Sequence, residues 1–199
     1  MSDVHEQMEY AEHAKHAAHA SKQIALLIAI LALFLAVSEM LGKSANTEAL
    51  TLNIKASDTW SFFQAKNIRR TVVLAATDEM KITAAGATGD AKAAMDKQVA
   101  TWQETAARYQ SEPKPEGGEG TKELFERARA AEHERDTALA RYHNYEFASA
   151  AFQIGIVLCS AAVITGMLVL AWAAGGIAVL GLIFITFGLF APHLLHLGH

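Results

Sequence analysis

Side chains that could bind a metal ion are concentrated in the N-terminal tail, residues 1–23. They share one face of a predicted helix, within about 80° on a helical wheel: His5, Glu9, Glu12, His16 and His19. Imidazole and carboxylate groups three and four residues apart can together chelate Zn²⁺, Ni²⁺ or Cu²⁺. The alternative is a solvated or interfacial helix, because this tail is rich in alanine and has no apolar face. The sequence predicts a metal site here and leaves that alternative open; no other cofactor is expected.

Two further groups of ionisable side chains lie near the ends of apolar stretches. His193, His196 and His199 recur at three-residue spacing, and a role as interfacial histidines that end an apolar helix competes with metal binding. Glu39 lies within an apolar run, and an ionisable group in such a run is by default a functional candidate. It also precedes Lys43 by four residues, in the order of a stabilising Glu–Lys pair, so a structural role at a membrane interface is the competing interpretation.

Sequence motifs of common enzyme classes are absent. There is no Walker loop, no dinucleotide-binding fingerprint, no Gly-x-Ser-x-Gly elbow and no His-Glu-x-x-His motif. Residues 42–151 carry 15 basic and 16 acidic side chains, so the chain has no nucleic-acid footprint. The one cysteine, Cys159, lies in an apolar run and cannot form an intramolecular disulfide. We therefore expect no catalytic activity and no nucleic-acid partner, and no small-molecule substrate is evident.

Three apolar stretches must position these groups: residues 24–41, 152–173 and 177–195. At 1.5 Å per residue the first two reach about 27 and 33 Å, enough to cross a bilayer core. Gly175-Gly176 predicts a turn before the third stretch. Small residues that would let helices approach closely repeat along the last two stretches: Gly155, Cys159, Ala162, Gly166, Gly181 and Gly188. The four acidic residues of the tail favour a retained anchor over a cleaved signal peptide. We expect an all-α membrane protein with three transmembrane helices and a C-terminal tail, 196–199.

The segment between the first two stretches, residues 42–151, is dominated by strong helix formers and predicts a long, coiled-coil-like soluble insertion. Helices are predicted at 44–84, 90–111 and 121–151. They are separated by Gly86–Gly89 and by a Pro- and Gly-rich linker or tip at 112–120. Apolar residues of the last helix recur at three- and four-residue steps, as in a coiled coil: Leu124, Ala128, Ala131, Ala138, Tyr142, Tyr145 and Phe152. The first helix is longer than its partners, so we expect a kink or a projecting part that pairs with another copy.

Within the first central helix, the segment KASDTWSFFQAKNIR runs from Lys55 to Arg69. It resembles the KASDxWxFxQAKxI stretch of a bacterial family of small membrane proteins catalogued only as a domain of unknown function. The His-rich tail, the early single span and the apolar C-terminal hairpin extend this resemblance over most of the chain. It implies a multi-pass protein of the bacterial inner membrane, and it brings no reaction, substrate or catalytic residue.

Basic residues on the central side of the first two spans favour a cytoplasmic central domain. Lys66 follows Phe62 by four residues, so a cation–π contact is expected.

One face of the same helix is unusually polar. We call it the polar seam: Asn53, Ser57, Trp60, Gln64 and Asn67, which recur on heptad steps. Asn and Gln at a helix–helix contact fix register and oligomer state, and Trp60 would anchor such a contact. Alternatively, the polar seam is solvated and a neighbouring apolar stripe packs in the core: Leu52, Ala56, Thr59 and Phe63.

Two functional hypotheses follow. The first is a non-enzymatic, membrane-anchored helical scaffold, assembly factor or accessory subunit that contacts lipid and forms a homo-oligomer or part of a larger membrane complex. The second is a small oligomeric channel or metal-linked transport component, in which Glu39, the polar seam or the histidines line a path. A ring-shaped oligomer with polar residues facing a continuous lumen would favour the second.

Overall fold

The computed structural model describes the backbone of residues 2–113 and 118–195 and the side chains of residues 22–113 and 118–194. Over these residues the chain is helical, without strands. The α-helices are α1 (Ser2–Ala85), α2 (Gly89–Gln110), α3 (Thr121–Thr165) and α4 (Leu168–Phe190), and a 3₁₀ turn (Pro192–Leu195) follows. The all-α prediction is confirmed. α1 and α3 each contain an apolar stretch and a part of the central segment in one helix.

The first of two compact units comprises Met1–Glu48 and Thr137–His199. Its core consists of apolar side chains from α1, α3 and α4: Ile24, Leu31, Ala148, Phe152, Cys159, Ala162 and Ala174. The part of α1 from Lys22 onward, α3 and α4 are each long and apolar enough to span a membrane. This agrees with the three apolar stretches of the sequence.

Glycines let α4 approach α3 closely in this unit. A Cβ atom added to Gly181 would lie 2.8 Å from the ring of Phe152, and one added to Gly188 would lie 2.6 Å from the ring of Tyr145. Each ring therefore occupies the space that a side chain on α4 would take. The predicted close approach at small residues is confirmed at these two positions.

The reversal between α3 and α4 lies at Gly166-Met167, and the turn predicted at Gly175-Gly176 is wrong. Gly166 has a φ angle of +69°, which glycine adopts without the steric cost of a side chain. Its N–H donates to the carbonyl of Ala162 at 2.9 Å, which completes the end of α3. Two adjacent glycines are a common turn signal, but here they lie inside α4. A single glycine with a positive φ was enough to reverse the chain.

This shift changes the bounds of the last two apolar helices. The second ends at Thr165 instead of residue 173, and the third runs from Leu168 to Phe190 instead of 177–195. Pro192 explains the earlier end, because a proline ring disfavours helical geometry in the residue before it. Ala191 is accordingly non-helical, with φ −147° and ψ 60°.

The second unit, Ala49–Asp136, contains the latter part of α1, all of α2 and the beginning of α3. The chain turns back after Ala85, and Gly89 begins α2 with a φ angle of +61°. The interruption predicted at Gly86–Gly89 is confirmed. Because this turn is short, α2 returns along α1 in the antiparallel sense.

In this unit α2 and α3 contact α1 one after the other. Near the end of α2, Tyr109 lies against Lys66 of α1. At the beginning of α3, the ring centroid of Phe125 is 6.1 Å from that of Phe63. The length of α1 is therefore matched by two successive partners. Within this unit, neither the kink nor the projecting part expected from helix lengths is needed.

Six of the seven apolar residues predicted to share one face of the last central helix are buried. In the second unit its buried residues are Leu124, Ala128 and Ala131, and in the first unit they are Ala138, Tyr145 and Phe152. Tyr142 is half-buried. Small and large apolar residues at this spacing form a continuous stripe, which explains why the helix presents this face to its neighbours.

The described end of the linker, Gly118–Gly120, packs against helices, so the alternative that the linker forms the tip of the insertion is wrong. Gly118 and Gly120 are buried, and the carboxylate of Glu119 lies 3.6 Å from the ammonium group of Lys66. Pro and Gly predicted an interruption correctly, but they do not indicate which interruption reverses the insertion. That reversal is at Gly86–Gly89.

Candidate interaction site on α1

Trp60, the large side chain of the polar seam, has partners within its own chain. Its indole N–H donates to the carboxylate of Glu132 at 2.8 Å. Its ring makes edge-to-face contacts with Phe63 and Phe125, each with centroids 5.4 Å apart. A contact between copies is therefore not required to explain a tryptophan at this position. The same ring is still half-exposed, so it also borders the outer surface.

The other members of the polar seam are exposed: Asn53, Ser57, Gln64 and Asn67. Asn53 accepts a 3.4 Å hydrogen bond from Arg135 of α3. A shallow groove of about 330 Å³ brings Trp60 and three of these polar residues together with Glu132 and Arg135. Asn67 lies outside the groove lining, farther along the same helix. The structure thus groups four of the five predicted interface residues around one concave surface.

The apolar stripe beside the polar seam faces the interior of the second unit, as the alternative interpretation predicted. Ala56 is buried, whereas Leu52, Thr59 and Phe63 are half-buried. In a single chain, therefore, the apolar stripe supplies the packing and the polar seam faces outward. This arrangement leaves the polar seam accessible to a partner.

Lys66 forms a compact polar centre at the junction of α1, α2 and the linker. It is 8% exposed. Its ammonium group lies 5.6 Å from the ring centroid of Phe62, as predicted, and 5.8 Å from that of Tyr109. Glu119 provides the opposite charge. Tyr109 and Glu119 could not be connected with Lys66 from sequence spacing, because both are more than forty residues away along the chain.

One turn later on α1, Arg70 donates from Nη2 to the side chain of Gln110 at 2.9 Å. Its Nε atom is buried without a hydrogen-bond partner among the described residues. Together, Lys66 and Arg70 hold the end of α2 and the linker against α1.

The start of α3 is fixed by hydrogen bonds to the linker. The hydroxyl of Ser111 donates to Glu123 at 2.5 Å, and the N–H of Glu112 donates to the same carboxylate at 3.4 Å. The Ser111 hydroxyl, with smaller contributions from backbone N–H groups, lowers the pKa of Glu123. Arg127 also donates to the carbonyl of Gly118 at 2.9 Å. These bonds join the described ends of the linker to the first turns of α3.

In the first unit, Glu39 is exposed and accepts a 3.5 Å hydrogen bond from Gln153 of α3. This partner lies 114 residues away and was not expected from the sequence. The neighbouring Ser38 is buried and donates to the carbonyl of Tyr145 at 3.3 Å. Two polar contacts therefore link α1 to α3 within an otherwise apolar region.

The predicted metal ligands of the N-terminal tail, along with His196 and His199, lie outside the residues whose side chains the structure describes. His193 is described, and its ring lies 3.1 Å from the hydroxyl of Thr137. Among the described side chains, no three His, Cys, Asp or Glu residues are grouped so as to hold a metal ion. The metal site of the tail stays a prediction.

A family model described as a domain of unknown function, DUF4337, matches residues 20–191. This match confirms the predicted resemblance to a family described only as a domain of unknown function. No curated protein and no solved structure matches the chain.

Proposed function

Because the chain belongs to the DUF4337 family, a domain of unknown function, we propose its role from its own geometry: a multi-pass protein of the bacterial inner membrane that serves as a helical scaffold or accessory subunit and self-associates through α1. The membrane-length helices of the first unit would anchor it in the bilayer. The second unit, a cytoplasmic domain in this proposal, would present the contact surface. No chemical step is assigned to it.

The proposal rests on the exposed polar seam, which lies beside an apolar stripe that already packs within the chain. Ala56 and its neighbours satisfy the packing of α1 within the chain, yet Asn53, Ser57, Gln64 and Asn67 stay accessible around and beside a concave groove. Amide and hydroxyl groups each offer both donors and acceptors, so such a surface can bind a partner without burying unpaired charge. Trp60, between Ser57 and Gln64 in the polar seam, supplies the large rigid side chain that interfaces favour.

Membrane insertion is tested by cysteine labelling in a Cys159→Ala background. Cysteines in place of Asp3 and Leu197 should react with a membrane-impermeant reagent from opposite sides, because three crossings separate them. Labelling from the same side would remove one crossing and contradict the proposed topology.

Self-association is tested by native mass spectrometry of the full chain in nanodiscs. The wild type should be oligomeric. Asn67→Leu should preserve association but broaden the distribution of stoichiometries, since a polar residue that fixes register is lost. Lys55→Leu, an exposed change away from the polar seam, is the matched control and should keep the wild-type distribution. A monomeric wild type would exclude this role for α1.

The second candidate function, an oligomeric channel or transport component, is favoured by one observation. Glu39 and Gln153 form an exposed polar pair within the apolar stretches of α1 and α3, and exposed polar groups in a bilayer usually face protein or water. A proteoliposome ion-flux assay decides between the two. Flux that is lost in Glu39→Gln would favour the channel, whereas impermeable vesicles containing the oligomer would favour the scaffold.

A further inference from the structure

One arginine of the first unit lies on the packed face of α3. Arg141 is half-buried. It is one helical turn from Thr137, Asn144 and Tyr145, so these four residues share a face. Asn144 and Tyr145 are each 4% exposed. A charged side chain therefore leaves α3 on the side that the helix buries against its neighbours.

The contacts of α4 show where Arg141 lies along this unit. Tyr145 packs against Gly188, close to the end of α4. Asn144 donates to the carbonyl of Pro192 at 3.1 Å, already beyond that end. Arg141 is one turn farther along α3 in the same direction. Since α4 has 23 residues and is about 35 Å long, its end would lie at the boundary of a hydrocarbon core of about 30 Å. Arg141 would then lie at the level of the lipid headgroups.

Arg141 leaves α3 between the two helices that pack on it. On one flank, the hydroxyl of Thr137 lies 3.1 Å from the ring of His193, in the 3₁₀ turn after α4. On the other flank, the ring of Tyr142 faces α1, where a Cβ atom added to Gly42 would lie 4.0 Å from it. On a helical wheel, Arg141 falls between Thr137 and Tyr142. Its side chain is therefore directed between α1 and the end of α4.

The charge of Arg141 is not balanced within the part of the chain that the structure describes. None of the ion pairs there includes this residue. The acidic residues nearest in sequence have other partners. Asp136 pairs with Arg135, and Glu146 lies 3.6 Å from His143. A half-buried guanidinium group without a counter-charge favours an anionic ligand, because its attraction to an anion is stronger where water is partly excluded.

A phosphate group fits the donors at this position. A guanidinium group can donate to two phosphate oxygens at once. The hydroxyl of the adjacent Tyr142 has no hydrogen-bond partner among the described residues, so it is a further donor. A phospholipid holds its phosphate at the level expected for Arg141. A lipid with a net negative charge balances the arginine, whereas a zwitterionic headgroup brings a positive charge of its own.

We propose that Arg141, together with Tyr142, binds the phosphate group of an anionic phospholipid in the leaflet at the end of α4. This rests on the membrane insertion in the proposed function and is independent of self-association. It assigns the first unit a lipid ligand of defined charge, which would fix the depth of the three packed helices in the bilayer.

Native mass spectrometry of the full chain tests this site with two lipids. Nanodiscs made from phosphatidylglycerol and phosphatidylcholine in equal amounts supply an anionic and a zwitterionic headgroup. The wild type should retain phosphatidylglycerol, and Arg141→Gln should lower the retained fraction at least ~5-fold, the effect of one basic residue at an anionic surface. Tyr142→Phe removes only the hydroxyl and should lower it less. Arg108→Gln, an exposed change on α2 in the second unit, is the matched control and should match the wild type.

The outcomes separate this inference from the proposed function. Equal retention of phosphatidylglycerol by the wild type, Arg141→Gln and Tyr142→Phe would overturn the site, as would an equal loss in Arg108→Gln. Equal retention of the two lipids by the wild type would overturn the preference for an anionic lipid. Displacement of the lipid by excess inorganic phosphate would indicate a site for free phosphate and overturn the lipid assignment. In all these cases, opposite-side cysteine labelling would leave membrane insertion standing, whereas same-side labelling would contradict the topology on which both proposals rest.

Discussion

Replacing Trp60 by alanine should destabilise the second unit from within a single chain. Truncation would remove two edge-to-face ring contacts, each worth about 0.5–1.5 kcal/mol, and the hydrogen bond to Glu132. Replacing a fully buried tryptophan by alanine lowers the free energy of unfolding by about 3–5 kcal/mol. Because Trp60 is half-exposed, we expect the lower end, ~3 kcal/mol. Trp60→Phe retains the ring contacts and should cost ~1–2 kcal/mol, mainly for the lost hydrogen bond.

The measurement is amide hydrogen exchange of the full chain in nanodiscs, followed in peptides from the beginning of α3. A loss of ~3 kcal/mol corresponds to roughly 100-fold faster exchange where local opening limits it. Trp172→Ala is the control: this tryptophan is 82% exposed on α4, outside the second unit, so exchange in α3 should be unchanged. Equal exchange in wild type, Trp60→Ala and Trp60→Phe would refute the intramolecular role.

The protein-to-lipid ratio separates the two roles of Trp60. Destabilisation caused by lost contacts within one chain is the same when the protein is diluted in lipid. An additional loss that appears at high protein density would come from contacts between copies, since association depends on concentration.

Three further predictions follow from other parts of the chain. Replacing the three histidines of the predicted N-terminal site by alanine should abolish binding of micromolar Zn²⁺ or Ni²⁺ in calorimetry, and unchanged binding would exclude the tail as the site. Gly188→Ala should cost ~1–3 kcal/mol by overpacking against Tyr145, measured as a lower thermal midpoint; a midpoint equal to that of the wild type would contradict the close approach. The pKa of Glu123 is lowered in the folded protein. Its hydrogen bond to Ser111 therefore stabilises the linker at pH values above the ordinary pKa of 4.5. This stabilisation is lost as the pH falls through the lowered folded-state pKa. Ser111→Ala should therefore reduce the acid dependence of amide exchange at the start of α3, and an unchanged pH profile would refute this.

The spacing of residues in the sequence was sufficient to predict the features that lie within one helix. The heptad spacing from Leu124 to Phe152 identified the buried face of α3, because a helix fixes which residues share a face. The contact between Lys66 and Phe62 was likewise predictable, since the two residues are one turn apart. The three apolar stretches identified membrane-length helices by composition and length.

Features that depend on long-range contacts were not predictable from spacing. The pairing of Trp60 with Glu132 joins residues 72 apart, and no local pattern links them. The turn between the last two helices was misplaced because Gly166 and the Gly175-Gly176 pair carry the same composition signal, and only the backbone angle distinguishes them. The linker after α2 was mistaken for a tip because Pro and Gly mark an interruption without showing what packs on it.

The order of contacts along α1 also has a consequence for how the chain assembles during synthesis. The hairpin of α1 and α2 closes through the short turn at Gly86–Thr88, so its first contacts require little loop-closure entropy. The partner of Ser38 is Tyr145, 107 residues later. The N-terminal apolar segment therefore lacks its packing partners from α3 and α4 until most of the chain has been synthesised. The α1–α2 hairpin can form in that interval, because contacts close in sequence form faster than distant ones. We therefore expect folding to begin at the turn between α1 and α2 and to be completed when α3 and α4 pack on the segment that was synthesised first.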